Sequence, residues 1–136
     1  MSINIVPELH KKYVKGTEKG AIVQIVEAFI CNLTASVAKG ISCPHRRVYI
    51  STRVIKHVYD KRPAEEFDLL VSVVHLITKY PDKVYKNKLG KRGEYCLVKS
   101  IKNNNYLCSI EVVQGESESQ LEIVTFFRVN DDNYLK

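Results

Sequence analysis

Apolar positions recur with two different periods along the chain, and the period changes near residue 80. Before that point they return every three or four residues, and after it every second residue. The pattern therefore predicts helices first and strands afterwards. Ile22, Ile25, Val26, Phe29, Ile30, Leu33 and Val37 predict a helix from about Glu18 to Ala38, with Thr17 as its cap and Gly40 as its stop. Residues 1–17, with Pro7 and the run His10-Lys11-Lys12, read as an irregular arm on the surface. GISCPHRR reads as a loop, and Val48 to Ile50 as a short extended entry into the next element.

A second helix is expected from about Thr52 to Asp60, because the Ser51 hydroxyl can cap it. Val54, Ile55 and Val58 then share one arc and face a core. A third helix follows Pro63, which suits a first helical position, and Glu65, Glu66 and Asp68 oppose the positive end of its dipole. Phe67, Leu70, Val71, Val74 and Ile77 form one stripe, and Leu69, Val73 and Leu76 add another. A helix apolar on most of its circumference belongs in the centre of the packing. His75 within it reads as a structural histidine with a satisfied hydrogen bond. Tyr80-Pro81-Asp82 ends the helix.

KVYKNK then reads as a strand and LGKRGE as a loop. YCLVKSI and YLCSIEVV form a hairpin across the turn Lys102 to Asn105, and LEIVTFFRV makes the last strand. The expected fold is α+β, with N-terminal helices on one face of a four-stranded antiparallel sheet, a meander. One domain is expected over residues 1–136, with an arm and helix over 1–47 and the core over 48–136.

Composition narrows the classes. A hydrophobic share of 45% argues against a disordered chain. There is no run of 18 apolar residues and no apolar h-region near the start, so neither a membrane span nor a secretory signal is expected. Cys31, Cys43, Cys96 and Cys108 include no CxxC pair. This fits reduced thiols, a cytoplasmic setting, and no metal or other cofactor; His45 beside Cys43 is the nearest approach to a ligand pair. The net charge is +6, and the positive charge is concentrated from Lys79 to Lys102. Such a surface favours a phosphate backbone or another anionic partner.

The candidate chemistry begins at His57. Arg53 precedes it by four residues, Asp60 follows by three and Lys61 by four, so all are neighbours on a helix. An imidazole at the edge of a core, between cations that hold an anion, suits acid–base work on a phosphate. The competing reading is an inert boundary histidine. Strand alternation puts Tyr95, Leu97, Lys99 and Ile101 on one side, and Leu121, Ile123, Thr125 and Phe127 on another. Both sets are mostly apolar, so Lys99 and Thr125 are expected to face the helix layer that carries His57. Against this, Lys99 could be an edge guard and Thr125 a plain strand former. Lys86, Lys88, Lys91 and Arg92 read either as a solvated loop or as a phosphate clamp, with Tyr85 or Tyr95 available to stack a base.

The order of ISTRVIKHVYDKRP, TKYPDKVYKN, GEYCLVKSI, YLCSIEVV and LEIVTFFRV resembles the phage-borne branch of the barnase–EndoU–colicin–RelE nuclease superfamily. The resemblance spans roughly Tyr49 to Tyr134. It implies a metal-independent endoribonuclease, acting as a toxin or as an effector of a phage or mobile element. His57 would be the general acid or base, Lys99 would hold the scissile phosphate, and Thr125 would orient that phosphate or the attacking hydroxyl. Arg53, Lys61, Arg62, Lys86, Lys88, Lys91, Arg92 and Arg128 would contact RNA. Lys61-Arg62 stands where such proteins often carry a further histidine or arginine. An inhibitor or antitoxin protein is an expected partner. Two other readings stay open: a non-catalytic RNA- or protein-binding module of the same fold, and a structural protein that assembles through its first helix.

Overall fold

The computed structural model describes residues 5–40, 47–86, 95–114 and 119–129. Its second half follows the two-residue period. β3 (Lys83–Lys86), β4 (Tyr95–Ile101), β5 (Asn104–Gln114) and β6 (Ser119–Arg128) pair antiparallel in chain order. Lys102 and Asn103 connect β4 to β5 with φ of 50° and 69°. Two left-handed residues in a row match the right-handed twist of the flanking strands, which is why so short a connection closes this hairpin. The predicted loops over 41–46 and 89–94 fall outside the described residues.

The sheet does not stop at the meander. β6 also pairs in parallel with β2 (Arg47–Ser51), and β2 pairs antiparallel with β1 (Glu27–Asn32). The sheet is six-stranded and mixed, in the order β1-β2-β6-β5-β4-β3, which corrects the four-stranded antiparallel expectation. Val48 and Ile50 are fully buried on either side of a half-buried Tyr49. Five residues are too few for that alternation to stand out in the sequence.

The helix expected over 18–38 is absent. Residues 21–26 form no regular element, β1 follows, and only Ala35–Gly40 is helical, as α2. Ile22 is 99% exposed and Ile25 68%, so the apparent stripe is not a core face. Ile22, Val23, Ile25, Val26 and Ile30 are β-branched, a composition that favours strands. The free edge of β2 supplies a ladder that an isolated helix cannot match. Thr52 fastens the segment before β1: its Oγ1 donates to the Gln24 carbonyl at 2.7 Å and accepts from the Val26 amide at 2.9 Å.

The predicted arm is also structured. α1 (Val6–Leu9) runs into a π-helical turn, His10–Val14, and Val6, Leu9 and Val14 are buried. Pro7 lies in the first turn, where its missing N–H costs nothing. Thr17 caps no helix; its Oγ1 donates to the Val14 carbonyl at 2.6 Å.

α3 (Thr52–Lys61) and α4 (Ala64–Lys79) form as predicted, with Pro63 at the N-cap of α4 and not inside it. α4 lies across the sheet against β1, β4, β5 and β6. Phe67, Leu70, Val71, Val74 and Ile77 are buried, while Leu69 stays 43% exposed. The hydrogen bond expected of His75 is not made at Nδ1 among the described residues. That atom is buried, and burial lowers the pKa of the ring. Leu97, Tyr106, Cys108, Ile110, Leu121, Ile123 and Phe126 belong to the main core with α4, whereas Cys96, Val98 and Leu107 form a small second cluster with Phe127. Burial pushes the Cys31 thiol up to about 11 and the Cys108 thiol up to about 12, so both act as small hydrophobes.

Candidate active site between α3 and β6

β2 and β6 stay in register for two residue pairs, Val48 with Leu121 and Tyr49 with Glu122. β2 then turns into α3 at Ser51, whose extended backbone (φ −108°, ψ 156°) and side chain cap the helix. Its Oγ accepts from the Val54 amide at 3.4 Å. α3 takes over from β2 as the neighbour of β6. Near its start Arg53 and His57 share a cleft with Glu122, Ile123 and Val124, and at its end the Arg62 guanidinium lies 5.2 Å over the Phe127 ring. The helix thus follows β6 toward its C-terminal end. A cleft of about 520 Å³ opens between them, lined also by Gly20, Ala21, Ser51, Val54, Lys56, Asp60 and Glu111.

One wall is structural. Lys56 is 6% exposed, and its Nζ donates to Asp60 Oδ1 at 2.7 Å and to the Glu18 carbonyl at 2.6 Å. The Gly20 amide donates to Asp60 Oδ2 at 3.0 Å. Burial alone would raise the Asp60 pKa. The bonds from Lys56 and Gly20 outweigh it and hold the carboxyl below its ordinary value. This network ties residues 18–20 to α3 and leaves Lys56 and Asp60 occupied.

The opposite wall carries carboxylates. Glu111 and Glu122 lie directly across from one another on β5 and β6. Like charges in that position are destabilising. Glu27 joins them from β1, held by Gln120, whose Nε2 donates to Glu27 Oε1 at 2.7 Å. Burial, a hydrogen bond with Glu27, and the charges of Glu27 and Glu111 push the Glu122 carboxyl up to about 7. At about 7 the carboxyl is roughly half protonated at neutral pH, in the cleft that His57 and the exposed Arg53 also line. It can give or take a proton at a phosphate placed between them.

The sequence-derived candidates separate. His57 lines the cleft. Thr125 reaches the cleft's side of the sheet through a bulge: Ser109 pairs with Thr125 and Ile110 with Ile123, leaving Val124 as an extra residue. Leu121 and Ile123 face the main core, but beyond the bulge Phe126 does so, while Thr125 and Phe127 turn to the face that carries Glu122. The expectation that Thr125 shares the helix-covered face with Lys99 is thereby corrected. Lys99 keeps that face, opposite buried Tyr106. Its Nζ donates to the Tyr80 carbonyl at 2.8 Å and lies 3.9 Å from Asp82 Oδ1. Tyr106 and Glu111 are five residues apart on β5, roughly 17 Å at strand rise, so Lys99 is remote from the cleft as well as on the other face.

Among the expected RNA contacts, Arg53 lines the cleft, Lys61 is exposed on the last turn of α3, and Arg62 covers Phe127. Arg128 pairs with Tyr106 on the core side, and its Nε is buried without a hydrogen-bond partner among the described residues. Lys86 ends β3 at the far edge of the sheet, and Lys88, Lys91 and Arg92 lie outside the described residues. Tyr85 packs in the small cluster and Tyr95 against the main core, away from the cleft lining.

Sequence reasoning missed Glu27, Glu111 and Glu122. The available signal was a glutamate in each of two strands otherwise rich in apolar residues, on positions that alternate with the core set. No three His, Cys, Asp or Glu side chains among the described residues are grouped as a metal site. No helix among them is long and apolar enough to cross a membrane.

Comparison with known proteins is consistent with this geometry. No curated protein and no solved structure matches the chain. One family profile does, described as phage-Barnase-EndoU-ColicinE5/D-RelE like nuclease3, over residues 21–136, a stretch that contains α3, the whole sheet and every cleft-lining residue named above except Gly20. The chain belongs to this phage-associated nuclease family.

Proposed function

We propose that the protein is a metal-independent endoribonuclease that cleaves RNA in the α3–β6 cleft, with Glu122 and His57 as its proton-transfer pair. The observation that carries this reading is the cleft itself, which joins one imidazole, the exposed cation of Arg53 and a carboxylate poised near neutrality. Above about pH 7 the Glu122 carboxylate takes the proton of a ribose 2′-hydroxyl. O2′ attacks the adjacent phosphorus and the P–O5′ bond breaks. His57, as the general acid, gives a proton to the departing O5′. The products are a 2′,3′-cyclic phosphate and a free 5′-hydroxyl. Arg53 balances the charge on the phosphate, and the Thr125 hydroxyl, two β5 positions along from the Glu111–Glu122 pair, orients it. Lys99 has no part in this scheme, because its ammonium is bonded at the end of α4. RNA is the substrate class because the nucleophile is the 2′-hydroxyl.

The test is cleavage of a single-stranded RNA in excess chelator by wild type, His57→Ala and Glu122→Gln. Each substitution is expected to cost about 10²–10⁴ in rate, the usual worth of one acid or base. A 2′-deoxy residue at the cleaved position should leave the strand intact. Undiminished cleavage by either variant would overturn the assignment, and salt-sensitive retention of uncut RNA by wild type would favour a binding module.

A further inference from the structure

Beside the cleft, on the same face of the sheet, three side chains form a platform that the scheme above does not use. The Phe29 and Tyr49 rings meet edge to face, 5.6 Å apart and inclined by 70°. The Arg47 guanidinium lies 5.5 Å from the Phe29 centroid and 5.9 Å from that of Tyr49. Phe29 is 41% exposed, among the few large apolar side chains so open to water. Strand alternation produces this exposure: Phe29 pairs with the outward Tyr49, while beyond it the register shifts between Phe29 and Cys31 and both Ile30 and Cys31 are buried.

Register connects the platform to the proton-transfer groups. Tyr49 is directly opposite Glu122 on β6, and Phe29 is directly opposite Tyr49 on β1. At the spacing of neighbouring strands the Tyr49 and Phe29 backbones stand about 5 and 10 Å from that of Glu122, one after the other across the sheet. A phosphodiester held in the cleft would send one of its two flanking nucleosides over these rings. An open aromatic face next to a cation is what an unpaired base stacks on.

We propose that Phe29, Tyr49 and Arg47 form a base-stacking subsite for a nucleotide adjacent to the scissile phosphate in single-stranded RNA. The proposal rests on the cleft being the RNA site. Stacking on a ring face is available to every base, so the subsite takes unpaired nucleotides with little sequence preference. Arg47 adds a cation for the neighbouring phosphate. An A-form duplex keeps its bases stacked on one another and has none to offer, so the subsite selects against paired RNA.

The experiment uses an uncleavable 2′-O-methyl oligoribonucleotide carrying 2-aminopurine at successive positions. Binding by wild type, Phe29→Ala, Phe29→Leu and Arg47→Ala is followed by fluorescence. Wild type is expected to quench the probe at one position. Phe29→Ala should abolish that quenching and weaken binding about 5- to 150-fold, the range for one lost aromatic stack. Phe29→Leu keeps an apolar side chain in place and should also lose the quenching, which separates stacking from folding. An abasic residue at the quenched position should weaken wild type by a similar factor and leave Phe29→Ala unchanged. Equal quenching by wild type and both Phe29 variants, or an abasic cost identical in all of them, would overturn the subsite. Because this readout needs no cleavage, it stands or falls separately from the roles of His57 and Glu122.

Discussion

Glu122 is where burial and like charge meet. Its carboxyl is held at about 7 against an ordinary value of 4.5, by burial first and then by Glu27 and Glu111. A raised carboxyl pKa means that the folded chain binds this proton more tightly than the unfolded chain. The stabilisation is fully present below about pH 4.5 and is lost as pH rises through about 7. Glu122→Gln imitates the protonated form at every pH. The variant should therefore be more stable than wild type at pH 8, and the gap should close as pH falls toward 4.5. Urea midpoints across that range check the sign. A wild type whose stability does not fall relative to the variant would show that the three carboxylates do not repel one another as placed. Glu111 opposite Glu122 is a like-charge pair that costs the fold stability, which fits the proton-transfer role proposed for Glu122.

At the scale of elements, the sequence was informative where a pattern is local. The Ser51 cap, the Ile55–Val58 arc, the apolar stripe of α4 and the turn at Lys102 all depend on neighbours within a few residues, and all are present. The misreadings came from pairing. Residues 22–33 contain apolar spacings that fit a helix, yet they follow the open edge of β2 into a strand. Val124 carries no mark of a bulge, but the bulge reverses the side on which Thr125 and Phe127 fall. His57 was legible because helix position alone puts it at a core edge. Glu122 was not, because its neighbours Glu27 and Glu111 come from other strands. Lys99 shows the same division: its facing was read correctly, but not its partner at the end of α4. Lys99→Ala should cost about 1 kcal/mol of stability, the net worth of one hydrogen bond to the Tyr80 carbonyl, and leave RNA cleavage nearly intact. A hundredfold loss of cleavage with unchanged urea midpoint would return Lys99 to the catalytic site.

For the whole molecule, the family match begins at residue 21, whereas the hydrophobic core begins earlier. Val6, Leu9 and Val14 are buried, α1 packs on α4, and the π-helical turn packs on α3. The His10 ring stands edge-on to Phe67 at 4.7 Å and tilted against Tyr59 at 5.4 Å. The Tyr59 hydroxyl in turn accepts from the Gly16 amide at 3.2 Å. The N-terminal segment therefore braces the back of the same helix whose front presents Arg53 and His57 to the cleft. Leu9→Ala should lower stability by about 2–5 kcal/mol, the range for a buried leucine. That is a large part of the total for a domain of this size. A chain starting at residue 21 loses all three apolar anchors together with the His10 stack. It should unfold without a cooperative transition and lose RNA cleavage even with His57 and Glu122 present. Circular dichroism melts of the full chain and of residues 21–136 decide the matter. A sharp transition at an unchanged midpoint in the shorter chain would mean that α1 and the π-helical turn are ornaments on a self-sufficient nuclease core.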